Sequence, residues 1–162
     1  MRRTTVVAVL LVALYALTVF ANSMRTKSNE TIAIEEMKPK KEIYLAGGCF
    51  WGTEHFIKQI YGVTATEVGY ANGKGRKPDY RSVSTGKTGF AETVRVIYDP
   101  EVISLENLLD LFYETIDPLS VNKQGNDFGT QYRTGIYYID KADSVLVKSS
   151  LAKLAQHHSH PL

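Results

Sequence analysis

One cysteine among 162 residues, Cys49, denies this chain a disulfide of its own. No thiol stands near the end of its N-terminal apolar stretch either, which excludes lipid attachment by the usual cysteine route. Charge is nearly balanced, 19 basic against 17 acidic residues for a net +2, with no long block of either sign. That excludes the basic footprint of a nucleic-acid binder. Internal repeats and low-complexity tracts are absent as well. Of four histidines, three crowd together at His157, His158 and His160 without a carboxylate or thiol at ligand spacing, so no metal is assigned. His55 follows Cys49 by six residues, on another face of the expected helix, and reads as a surface histidine.

What is present begins with Met1-Arg2-Arg3 and an uncharged stretch from Thr4 to Met24. A basic start, an apolar centre and small residues at the end form the pattern of a secretory signal over residues 1–21, with cleavage after Ala21. The alternative is an uncleaved anchor over residues 4–24, close to the roughly 20 residues of a membrane span. The expected location is therefore outside the cytoplasm, periplasmic or secreted, or anchored in the membrane. Residues 22–41 are polar and mixed in charge and read as a flexible tether. Residues 42–162 are sufficient for one folded domain.

Within that domain the hydrophobic pattern predicts strands at 43–46, 65–70, 92–98 and 136–139. A helix is expected from Phe50 to Tyr61. Ser104 caps a second, with Leu105, Leu108, Leu109 and Phe112 on one face, and Asp117-Pro118 stops it. A third covers 142–156, and 71–78 is a Gly- and Lys-rich loop. Strands and helices alternate without a strict βαβ beat, which predicts an α+β two-layer sandwich with helices flanking a mixed sheet.

Cys49 falls in the run Ala46-Gly47-Gly48-Cys49-Phe50-Trp51-Gly52, between the first strand and the first helix. A sulfur at a helix N-terminus meets unpaired N–H groups and the positive end of the helix dipole, which favour the nucleophilic thiolate. Phe50 and Trp51 beside it are natural apolar walls for a ligand, with core packing as the plain alternative.

Gly48-Cys49-Phe50-Trp51-Gly52 resembles the signature of the A-type peptide methionine sulfoxide reductases. Four further stretches match that family in the same order: Pro78-Asp79-Tyr80-Arg81, Thr88-Gly89-Phe90-Ala91-Glu92, Tyr98-Asp99-Pro100, and the run from Gly125 to Arg133, GNDFGTQYR. The similarity extends from about Lys41 to about Gln156. It implies a ferredoxin-like core and a thiol-dependent reduction of the S epimer of methionine sulfoxide, free or in oxidised proteins, through a cysteine sulfenic acid. Cys49 would be the nucleophile and Glu92 the proton donor, its carboxyl kept neutral among aromatic groups. Tyr80 and Tyr132 would offer hydroxyls to the sulfoxide oxygen, and Asp127 would order the surroundings of the cysteine. No bound cofactor is implied; an external thiol restores the cysteine, whether a thioredoxin-like protein, a glutaredoxin, glutathione or dithiothreitol.

Two departures accompany the resemblance. Phe90 stands where the family usually has a histidine, and the chain ends at Leu162, soon after the last helix, where family members commonly continue into a segment that covers the core. A C-terminal cover is therefore expected to be missing. The rival readings are a truncated relic that keeps the motifs without turnover, and a cysteine acyl-transfer catalyst.

Overall fold

The computed structural model describes residues 17–28, 39–75 and 77–158. It divides into two compact units, 1–38 and 39–162, each taken here by itself. In the first, residues 17–28 form helix α1, with Leu17, Val19, Phe20 and Met24 exposed. Thr26 Oγ1 donates to the Asn22 carbonyl at 2.8 Å and Ser28 Oγ to that of Arg25 at 3.3 Å. This helix crosses the expected cleavage position and continues through residues 22–28 of the expected flexible tether. No Gly or Pro interrupts the segment, and a nucleated helix extends cheaply through polar residues. The rest of the expected leader, 1–16, and tether residues 29–38 lie outside the described residues. Among the described residues no helix is long and apolar enough to cross a membrane.

The second unit runs β1 (Lys41–Gly47), α2 (Phe50–Ile57), β2 (Val63–Ala71), α3 (Tyr80–Val83), β3 (Ala91–Tyr98), α4 (Leu105–Tyr113), β4 (Lys123–Gln124), β5 (Asp127–Phe128), a 3-10 turn (Thr130–Tyr132), β6 (Thr134–Tyr137) and α5 (Asp143–Ala155). Four strands form one sheet in the order β2-β3-β1-β6, and β4 and β5 form a separate hairpin. The succession β1-α2-β2-β3-α4-β6 in that order is the ferredoxin-like split βαβ arrangement. Every pairing in it is antiparallel, not mixed. The crossover through α2 makes β1 and β2 parallel to each other, but β3 inserts between them and is antiparallel to both. No two parallel strands are neighbours.

The core is where the alternation put it. Ile43 and Leu45 of β1, Val94 and Val96 of β3, Ile57 of α2, and Leu108, Leu109 and Phe112 of α4 are fully buried in one cluster. Ser104 caps α4 as expected, accepting from the Asn107 N–H at 3.2 Å. Helix α5 places Val147 in that cluster and Leu154 against it, and polar ties add to this packing. Lys41 Nζ reaches the Asp143 carboxylate at 3.0 Å, Ser150 Oγ donates to the Tyr113 hydroxyl at 3.0 Å, and Lys153 Nζ reaches the Asp110 carboxylate at 2.9 Å. Asp143 itself is only 2% exposed. That hydrogen bond first, and then the Asp143 charge, raise the Lys41 ammonium above its usual value against the opposing effect of burial.

Candidate active site

The turn from β1 into α2 brings the sulfur to a helix end, and Gly48 is what permits it. Its φ of +91° is unfavourable for a side chain, and a Cβ there would lie 2.6 Å from Cβ of Gln124. Cys49 is the N-cap of α2, partly exposed, and its carbonyl accepts from the N–H groups of Gly52 and Thr53, both at 3.2 Å. Its side chain makes no capping hydrogen bond. The next N–H, that of Phe50, donates to Glu92 Oε2 at 3.0 Å. The backbone N–H bound to the carboxyl therefore belongs to the residue that directly follows Cys49.

Glu92 is 3% exposed, near the start of β3. Burial is the leading cause of a raised pKa, the Phe50 N–H opposes it, and the negative charge of Asp127 pushes further up. Directly across the β2·β3 ladder stands Tyr70. Its ring lies 5.8 Å from that of Phe50, and its phenol is raised by burial and then by Glu92, Tyr80 and Asp79. Tyr132 is raised by burial and then by Glu92, Asp127, Tyr80 and Cys49. The other four residues expected to be catalytic thus all act electrostatically on this one phenol.

Short, separately anchored segments carry those side chains. Tyr80 opens the one-turn helix α3, which Asp79 and Ser82 cap reciprocally: the Ser82 N–H donates to Asp79 Oδ1 at 2.8 Å and the Asp79 N–H to Ser82 Oγ at 3.3 Å. Asp127 sits on the β4–β5 hairpin opposite Gln124. That glutamine accepts from the Asp117 N–H at 2.9 Å and donates to the Asp117 carbonyl and to Thr134 Oγ1, both at 2.8 Å. Tyr132 closes the 3-10 turn, whose N-cap Gly129 donates to the Asn122 carbonyl at 2.9 Å.

The two expected walls differ. Phe50 is buried and belongs to the core cluster, so packing accounts for much of it. Trp51 is 66% exposed and stands edge-on to Phe50 with ring centroids 5.6 Å apart, an apolar plane offered to solvent. His55 is exposed on α2, as expected. Phe90 is half-buried with its ring over Gly73, where a Cβ would come within 2.1 Å of it. Among the described residues no group of three or more His, Cys, Asp or Glu could hold a metal. Sequence reasoning missed Tyr70 and Gln124. The first could have been found by pairing the two predicted strands, while nothing local to Gln124 announces its three hydrogen bonds.

A turn-mounted cysteine beside a buried carboxyl and two phenols, on a ferredoxin-like core, defines a thiol-based oxidoreductase. The family model for peptide methionine sulfoxide reductase matches residues 41–162, and the chain belongs to that family. It is 55% identical over 122 residues to the peptide methionine sulfoxide reductase MsrA of Lachnoclostridium phytofermentans, covering 75% of this chain and 74% of that one. Among solved structures, Mxr1 from Saccharomyces cerevisiae in reduced form is 40% identical with a TM-score of 0.69, over 73% of this chain and 70% of Mxr1. Mxr1 in complex with Trx2 matches at 29% identity and a TM-score of 0.54, over 73% of this chain and 68% of that one.

Proposed function

We propose that this chain is a peptide-methionine (S)-S-oxide reductase that uses Cys49 as nucleophile and Glu92 as acid. The observation that carries the reading is the link between them: the helix end bearing Cys49 is hydrogen-bonded to a buried carboxyl whose neutral form is favoured. The Cys49 thiol, giving up its proton as it attacks, forms an S–S bond to the sulfinyl sulfur. The thiol's own proton and that of Glu92 go to the oxygen, which departs as water. Water then adds to the cysteine sulfur, breaks the S–S bond, releases methionine and returns a proton to Glu92. Cysteine gives up two electrons as it becomes the sulfenic acid, and the sulfoxide takes the same two. Tyr80 and Tyr132 hold the oxygen, Asp127 keeps the surroundings polar, and Trp51 with Phe50 receives the methyl group.

The sequence holds no second thiol, so an external one attacks the sulfenic sulfur, expelling water, and another splits the mixed disulfide. A thioredoxin-like donor is favoured by the structural likeness to Mxr1 bound to Trx2, and small thiols serve the same step in vitro. Export, or anchoring through residues 4–24, rests on the N-terminal sequence pattern alone. The test is dithiothreitol-driven turnover of separated R and S methyl sulfoxides. Consumption of the S epimer alone is expected. Turnover of the R epimer would refute the assignment, and no turnover by protein with a cooperative melt would favour the relic.

A further inference from the structure

We propose that Thr130 is a positioning residue for the sulfoxide-oxygen site, its hydroxyl clasping the turn after α3 and so fixing Tyr80 beside Tyr132. The need for such a clasp follows from how little else holds Tyr80. It is 62% exposed, on a helix of four residues whose only buried side chain is Val83. A single turn has no stability of its own, because nucleation fixes several residues for one hydrogen bond.

Tyr132 is better anchored. The Gly129 N–H holds the start of its turn to Asn122. Arg133 braces the turn from the other side, donating from Nη1 to the Thr130 carbonyl at 2.9 Å and from Nη2 to the Asn72 carbonyl, just past β2, at 3.1 Å. The turn is thus tied back to the sheet edge that carries Tyr70.

From this anchored turn one short bond crosses to the Tyr80 segment. Thr130 Oγ1 donates to the Gly86 carbonyl at 2.7 Å, and Gln131 Nε2 adds a longer contact to the Ser84 carbonyl at 3.5 Å. Residues 84–86 in turn bond back onto α3: the Ser84 N–H to the Tyr80 carbonyl and the Gly86 N–H to that of Val83, both at 2.9 Å. The connection therefore runs from sheet to 3-10 turn, through the Thr130 hydroxyl, into the helix that begins at Tyr80. It ends on Tyr80 rather than on Cys49, whose carbonyl accepts instead from Thr53 Oγ1 at 3.3 Å and from the N–H groups of Gly52 and Thr53.

The inference rests on the proposed role of Tyr80 in binding the oxygen, and a double-mutant cycle separates the two claims. kcat and KM for an S methyl sulfoxide are measured for Thr130→Val, Thr130→Ala, Thr130→Ser, Tyr80→Phe and the combinations with Tyr80→Phe. Loss of the clasp should lower kcat/KM by about tenfold, short of the roughly 10²-fold that an ångström of misplacement can cost. The same change in the Tyr80→Phe background should do almost nothing, because the hydroxyl it positions is gone. Thr130→Ser keeps the donor and should stay within about twofold of the parent, since only a methyl is lost. The rate of Cys49 alkylation should not move in any of them.

An equal fold-loss in both backgrounds, no loss on Thr130→Val, or a serine variant as impaired as the valine would each overturn the clasp. So would failure of both valine and alanine variants to fold, since that would make the bond a support of the core. A neutral Tyr80→Phe would instead overturn the role of Tyr80 itself.

Discussion

Replacing Glu92 by glutamine removes a transferable proton while leaving shape and hydrogen bonding nearly intact. The carboxyl is buried, accepts the Phe50 N–H, and has its neutral form favoured by burial and by Asp127. An amide oxygen accepts the same N–H, so Cys49 should stay in place. The loss is then that of a positioned general acid, about 10²–10⁴ in rate, or roughly 3–5 kcal/mol of barrier. Stability should move the other way with pH. A carboxyl raised above its ordinary 4.5 makes the native state hold its proton longer than the unfolded chain. Its contribution to stability is full below that value and is lost as pH rises through the folded pKa. The glutamine variant carries no such penalty, so its melting temperature should gain on the parent as pH increases across that window. The assays are S-epimer turnover and paired thermal melts from acidic to mildly alkaline pH. A variant keeping more than about a third of the parental rate, well above the range for a general acid, would refute the acid assignment.

Other outcomes follow from separate parts of the molecule. Without reductant, one equivalent of sulfoxide should add a single oxygen to the protein, trapped on Cys49 by dimedone and absent in Cys49→Ser; intact-mass measurement checks it, and loss of two hydrogens instead would contradict a one-cysteine cycle. Gly48→Ala forces a side chain to a φ of +91° and against Gln124, and should cost about 1–3 kcal/mol in a denaturant melt along with most activity. Lys41→Met leaves the buried Asp143 carboxylate without its ammonium partner, and should cost roughly 1–3 kcal/mol while sparing kcat. A chain beginning at Pro39, where the second unit starts, should match the parent in melt and turnover.

The legible parts of this fold are those where a local pattern has a local cause. Ser104 followed by Leu105, Leu108, Leu109 and Phe112 specified α4, and two glycines between an apolar run and a helical one put Cys49 at a helix start. Glu92 could be placed at a strand start from alternation alone, although its role came from the resemblance. What stayed hidden depends on partners distant in sequence. Helix α3 is too short for periodicity, and β4 and β5 are two residues each. Gln124 acts through Asp117 and Thr134, and the antiparallel order depends on which strand β3 enters beside. Tyr70 joined the site only through its register with Glu92.

The Phe50 N–H has a consequence for the energetics of successive steps. A neutral carboxyl accepts from an amide weakly, whereas a carboxylate does so about twice as strongly. In the proposed reaction, loss of the Glu92 proton would tighten the hydrogen bond that fastens it to the first turn of α2, with the positive end of that helix facing the new charge. Two opposite influences therefore act on this carboxyl: burial favours its neutral form, and the Phe50 N–H at the helix end favours its charged form. Because the same helix end carries Cys49, the proposed proton release would coincide with the firmest hold on the sulfur's mount.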